Sequence, residues 1–256
     1  MDTQQQTSFN VLLIGDSCTD IYNIGTVDRL SPEAPVPVVK IVETFSLPGM
    51  SANVYRNLVN LNIEADFIHN DTSITKTRFI DKRSGQHLLR VDDEDNVVQW
   101  SGSTPSPLET YDAIVISDYD KGFLTYEHIE NIIGSVKCPV FIDTKKTNVE
   151  RFQGAWVKVN ELEYSKLKSE CSGLIVTLGD RGAKVPHHDI YCPTKSVEVM
   201  DVCGCGDTFM AALVAQYLFT KDIEKAIIFA NVAAGITVQH RGNYAPSYDE
   251  IRHAGY

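Results

Sequence analysis

Six short apolar runs, at residues 11–15, 65–69, 113–117, 139–143, 155–159 and 174–178, alternate with stretches of helical periodicity along this chain. A run of this length without polar alternation reads as a strand buried on both faces, and strands separated by helices pair in parallel. The expected architecture is α/β, a doubly wound and mostly parallel sheet flanked by helices. Most runs end on a polar residue or a glycine, and ligands of such sheets bind beyond the carboxyl ends of the strands. Asp16, Asp118, Asp143, Asn160 and Gly179 therefore fall where a site belongs. Helices are expected over 51–61, 125–136, 161–168, 207–219 and 223–239.

Two segments break the alternation. Residues 29–42 carry Pro32, Pro35 and Pro37, and proline lacks the N–H that an interior ladder needs, so this stretch belongs on an edge. Residues 75–92 alternate around Ser84-Gly85 and read as an antiparallel hairpin. Together, over about 22–46 and 75–92, they form an expected small β flap on the main sheet. Without repeats or linkers, residues 1–256 are expected to make one domain.

Charge limits the partners. Lys plus Arg total 23 against 34 Asp plus Glu, a net −11, the wrong sign for nucleic acid or an anionic membrane surface. Phosphorylated ligands would need cations gathered locally. No apolar run approaches the ~20 residues that span a bilayer, and the Gln-rich start lacks a signal-peptide pattern. The six cysteines form no C-x-x-C pair, which fits reduced thiols in a cytoplasm better than disulfides.

Gly204-Cys205-Gly206-Asp207 runs into a helical pattern at Phe209, Met210, Leu213 and Val214. Glycines at a helix start let an anion approach free N–H groups at the positive end of the dipole. A carboxylate directly after them can take the proton of an attacking hydroxyl, which together are the needs of phosphoryl transfer. A glycine turn with Asp207 as a plain N-cap fits these residues equally well. Thr177, Gly179 and Gly182 make a loop able to lie under nucleotide phosphates, or a simple strand connection. Asn160 and Glu163 suit a hydrated Mg²⁺, or an ordinary capping box. Gly49 and Asn53 open a helix near which a polar ligand can approach; Asp16 and Asp20 can grip hydroxyls or be solvated loop acids. Lys121 and Lys145, at strand ends, are candidate phosphate cations. Walker, H-R-D and D-F-G signatures are all missing.

In this order the motifs resemble the ribokinase (PfkB) family of carbohydrate kinases along essentially the whole chain. Residues 29–39, 75–78, 88–92 and 117–122 are similar to segments of the kinases of D-glycero-D-manno-heptose 7-phosphate, and the likeness is to a kinase domain only. The resemblance implies a ribokinase-like fold with a lid, ATP and Mg²⁺, a cytoplasmic homodimer closed through the flap, and transfer to the anomeric hydroxyl of a heptose 7-phosphate for surface-glycan precursors such as lipopolysaccharide. It implies Asp207 as base, the Gly204, Cys205 and Gly206 amides as anion hole, and Asn160 and Glu163 at the metal-phosphate end, Glu163 acting on Mg²⁺ indirectly. Thr177, Gly179, Gly182 and Asn231 would line the nucleotide; Asp16, Asp20, Gly49, Asn53, Lys121 and Lys145 would serve the sugar phosphate.

Three departures stand out. Cys203 and Cys205 replace the usual Thr and Ala, Met50 replaces a glycine and is expected to crowd the sugar, and the chain is short between His69 and Thr75 by about one helix and one strand. The other readings are a kinase of another sugar, sugar phosphate or nucleoside, and a silent sugar-phosphate binder.

Overall fold

The computed structural model describes residues 9–93 and 97–255; the Gln-rich start at 1–8 lies outside the described residues. The chain opens with β1 (Asn10–Gly15), whose Val11 to Ile14 side chains are fully buried. Each such side chain contributes about 1.5–3 kcal/mol by leaving water. Six parallel strands follow from the six apolar runs: β1, β4 (Glu64–His69), β7 (Ala113–Asp118), β8 (Val140–Thr144), β9 (Trp156–Asn160) and β10 (Leu174–Thr177). An antiparallel hairpin, β11 (Ala183–Val185) and β12 (Ile190–Cys192), extends one edge, giving the order β12-β11-β10-β9-β8-β7-β1-β4.

Helices cover both faces. On one side α1 (Ser51–Asn60), α4 (Cys205–Thr220), α5 (Ile223–Thr237) and α6 (Tyr248–His253) bury Val54, Leu58, Leu213 and Phe229 against Leu13 and Val115. On the other, α2 (Tyr126–Ser135) sets Ile129 and Ile132 against Leu12, Ile114 and Ile142. Because β1 is flanked by β4 on one side and β7 on the other, the strand order reverses there, and Asp16 and Asp118 stand at that switch point.

The flap is a second sheet, β3-β2-β5-β6, built from β2 (Ser17–Leu30), β3 (Pro37–Met50), β5 (Thr75–Asp81) and β6 (His87–Asp93). The proline stretch is an edge as expected: Arg29 and Leu30 end β2, Pro32 and Pro35 lie in the connection, and strand resumes at Pro37 as the edge strand β3. Three helix expectations are corrected. The 161–168 helix is the single turn α3 (Glu161–Tyr164), in a segment that packs only Tyr164 and Leu167 against the core and leaves Leu162 exposed; α4 starts at Cys205 rather than 207; and the last long helix, α5, stops at Thr237 rather than 239. No helix among the described residues is long and apolar enough to cross a membrane, and the six cysteines are free.

Candidate active site

The switch point, the flap root and the start of α4 meet at one place. Gly204 caps α4 at φ 73, where a Cβ would press within 2.7 Å of Asn53 Nδ2 and 2.9 Å of Asn243 Oδ1. Only glycine fits both the left-handed backbone and the space. With the cap position taken by Gly204, Asp207 lies in the first turn and caps nothing, so the plain N-cap account fails. Its carboxylate instead accepts from Asn53 Nδ2 at 2.9 Å and Tyr119 Oη at 2.9 Å. Burial pushes its pKa up to about 6; the Asn53 hydrogen bond opposes this, the Asp143 charge adds to it, and the Tyr119 hydroxyl and Lys158 oppose it. A carboxyl poised near 6 is ionised at neutral pH yet basic enough to accept a proton.

Asp16 and Asp20 are not solvated: they are 1% and 4% exposed. Asp20, on β2, gives one oxygen to Arg78 Nη1 at 2.5 Å and the other to Asn243 Nδ2 at 2.9 Å. Asp16 accepts the Tyr119 amide at 2.7 Å through Oδ2, while its Oδ1 is buried without a partner among the described residues. Burial, then the neighbouring Asp118 charge, push Asp16 up to about 6. An unpaired buried acceptor is costly, and a ligand hydroxyl is one group able to satisfy it. Gly49 lies against the Asp20 carboxylate and Cys18 thiol, leaving no room for a Cβ. Met50, at φ 55, does not lie open to a sugar; its side chain is buried with Cys18 and Ile74.

On the other side, Asn160 and Glu163 form the reciprocal capping box of α3, with 2.8 Å bonds each way, and Glu163 also pairs with Lys145. Burial opposes its ionisation, but the Lys145 and Asn160 hydrogen bonds hold its carboxyl below the usual range. No group of three or more His, Cys, Asp or Glu able to hold a metal occurs among the described residues. An ionised Glu163 beside a phosphate site still suits Mg²⁺, which keeps most of its waters and is reached through them.

Sequence reasoning missed Lys158. It sits in β9, 5% exposed, its Nζ 2.6 Å from Asp143 Oδ2 and 3.1 Å from where a Gly206 Cβ would stand. Burial presses its pKa down, yet the Asp143 carboxylate carries it above the ordinary lysine value. It is a fixed cation beside the Gly204–Gly206 turn. Lys145 is committed to Glu163, and the Lys121 backbone leans toward Asp16 at 3.4 Å.

Two cavities adjoin this centre. One is lined by Thr177, Gly179, Gly182 and Asn231 together with Cys205 and Gly206, so all four nucleotide candidates converge on the start of α4; Asn160 and Glu163 lie outside it. Val197, Val199 and Phe209 give it an apolar wall that no motif announced. The other, of about 790 Å³, lies between the flap and residues 199–203 and 241–242, and collects Arg78, Lys82, His87, Arg90 and Arg241. At its rim Cys203 has a thiol that burial and the Asp201 carboxylate push up to about 11, so it is not a thiolate.

A family model described as pfkB family carbohydrate kinase matches residues 142–250. The bifunctional protein HldE of Vibrio vulnificus is 32% identical over 306 aligned residues, covering 95% of this chain and 63% of that protein. The chain thus spans 63% of the length of this curated relative. Among solved structures, ribokinase from Thermotoga maritima superposes with TM-score 0.72 at 18% identity, over 96% of this chain and 99% of the other. Arabidopsis thaliana ribokinase complexed with ribose and ATP gives 0.69 at 14% identity, over 97% and 99%.

Proposed function

We propose, from the pfkB family carbohydrate kinase match over residues 142–250 and the 32% identity to HldE, that this chain is an ATP-dependent carbohydrate kinase whose substrate is a sugar already carrying a distal phosphate. D-glycero-D-manno-heptose 7-phosphate, phosphorylated at its anomeric hydroxyl to the 1,7-bisphosphate, is the specific reading. The carrying observation is the cavity under the flap, where Arg78, Lys82, His87, Arg90 and Arg241 share the lining with Glu43 and Asp201 on a chain of net charge −11; Arg78 is paired with Asp20 and Arg90 with Asp92, which leaves Lys82 and Arg241 as the cations without an ion pair among the described residues. A distal phosphate gives these two an anion to bind, which a neutral sugar or nucleoside does not.

Within this reading the acceptor hydroxyl donates to Asp207, which takes its proton as the new O–P bond forms and the bond to ADP breaks. The amides at Gly204, Cys205 and Gly206, of which the Cys205 one reaches the Val202 carbonyl only at 3.4 Å, face the equatorial oxygens of the phosphoryl group in flight together with the α4 dipole. Lys158 adds a fixed positive charge there. Thr177, Gly179, Gly182 and Asn231 border the nucleotide, and Asp16 accepts a sugar hydroxyl through its free Oδ1. Asp20 and Asn53 act at one remove, orienting Arg78 and Asp207. Glu163 would hold the waters of a bound Mg²⁺, whose contribution would be charge neutralisation at the nucleotide phosphates.

A substrate panel read by ADP release tests the assignment. Heptose 7-phosphate should be turned over with a kcat/KM at least about 100-fold above the same sugar without its phosphate, the worth of about 3 kcal/mol from charge-assisted contacts. Equal turnover of a nucleoside or an unphosphorylated sugar would remove the heptose phosphate reading while leaving the kinase.

We also infer a homodimer closed through the flap, whose strands expose Leu30, Ile41, Leu89 and Val91 at 46–62%. Light scattering should give a two-chain mass, and Leu89→Lys should shift it toward one chain; a monomeric wild type at assay concentration ends this inference.

A further inference from the structure

Tyr119 follows β7 and touches four parts of the site. Its hydroxyl donates to Asp207 Oδ1 at 2.9 Å, and its amide donates to Asp16 Oδ2 at 2.7 Å. Its ring lies 5.1 Å from Lys76 Nζ of flap strand β5 and 5.2 Å from Lys145 Nζ, the lysine that pairs with Glu163. As a residue it is half-buried, but its hydroxyl end is enclosed. One residue thereby contacts the proton acceptor, the hydroxyl-binding carboxylate, the flap and the cation on Glu163.

We propose that Tyr119 is a positioning residue for phosphoryl transfer: it fixes the plane and proton affinity of the Asp207 carboxylate and links that setting to the flap through Lys76. This rests on Asp207 being the base. A carboxylate bound at one oxygen only can rotate about its Cβ–Cγ bond. Asn53 from α1 holds Oδ2 and Tyr119 holds Oδ1, so both oxygens are pinned and the remaining lone pairs point in set directions. Misalignment of a base by ~1 Å costs on the order of 100-fold in rate. Tyr119 itself stays protonated, because burial and the Asp207 and Asp143 charges drive its pKa well above the ordinary phenol. It is a donor and not a relay.

The test compares wild type, Tyr119→Phe and Asp207→Asn as full chains, with the best substrate of the panel, over pH 5–9. The charged and titratable groups around Asp207 are Asp143, Lys158, Tyr119, Arg56, Cys18 and Cys205; Tyr119→Phe alters one of them and leaves the ring in place. A donor to a carboxylate lowers its pKa, so losing it should move the acid limb of kcat upward by about one pH unit. At the optimum kcat should fall at least about tenfold, with KM for ATP within about twofold. An acid limb at the wild-type pH overturns the proposal, whether or not kcat has dropped, since a merely structural tyrosine leaves the limb in place. Asp207→Asn separates the two ideas: if it keeps wild-type turnover the base reading fails first, and if it is dead while Tyr119→Phe matches wild type, only the role of Tyr119 is lost.

Discussion

Asp207→Asn is expected to lower kcat by about 10²–10⁴, the usual worth of a positioned general base, with the ATP dissociation constant within about twofold. The same variant should be more stable than wild type at pH 7. In the folded protein the Asp207 carboxyl titrates at about 6 against 3.8 for an ordinary aspartate. A raised carboxylate pKa means that the folded state pays for burying the charge above pH 6, and regains stability as the pH falls from about 6 to 4 while the folded form binds the proton first. The shift of about two units sets a ceiling near 3 kcal/mol. Asparagine keeps the shape but cannot accept from both Asn53 and Tyr119 as the carboxylate does, so a gain on the order of 1 kcal/mol is expected. Denaturant unfolding from pH 4 to 8 should show the advantage of the variant shrinking toward acid. A variant that is both active and no more stable would contradict the assignment.

The parts of this fold legible in the chain are those whose physics is local. Val11–Ile14 and Ala113–Ile116 are buried on both faces of a parallel sheet, and such strands must be continuous apolar runs, which is how they read. The Gly204–Asp207 turn was visible because glycine and carboxylate at a helix start are a one-dimensional pattern. β2 was not visible as one long strand, because it buries Asp20 and Asn23 among its 14 residues and so lacks an apolar signature. What satisfies those polar groups lies far away in sequence: Arg78 is 58 residues from Asp20, and Asn243 is 223.

The same reason hid half the site. Lys158 in Trp156-Val157-Lys158-Val159 looks like a surface lysine on a strand, because its partner Asp143 is on the neighbouring strand 15 residues away. Tyr119, Asn53 and Asp207 meet across up to 154 residues. The readings left open by local pattern were also decided by distant contacts. Asp207 is no cap because Asn53 and Tyr119 claim it, whereas Asn160 and Glu163 do form a capping box, and Lys145 leaves Glu163 ionised at the same time. A capping role and a water-mediated metal role are therefore compatible in one residue.

Lys158→Met is the second change with a large expected effect, and it has to be separated from simple destabilisation. The Lys158–Asp143 pair is dry, with side-chain exposures of 6% and 7%. Removing one partner leaves an uncompensated buried charge, which costs about 3–5 kcal/mol. A drop in activity for this variant alone would prove little. Asp143→Asn combined with Lys158→Met removes both charges at similar volume, and should recover most of the lost stability by denaturant unfolding. Turnover should not recover with it. If Lys158 stabilises the phosphoryl group at Gly206, both variants should have kcat lowered by about 10²–10³, the worth of one preorganised donor at a developing charge. The double variant removes both the Asp143 charge that raises the Asp207 pKa and the smaller effect of Lys158 that lowers it, so its acid limb should not move up in pH, which excludes a protonated base as the cause of its low turnover. A double variant that regains stability and turnover together would make Lys158 a structural partner of Asp143, and leave the amides of Gly204, Cys205 and Gly206 with the α4 dipole as the protein's own stabilisation of the transferred group.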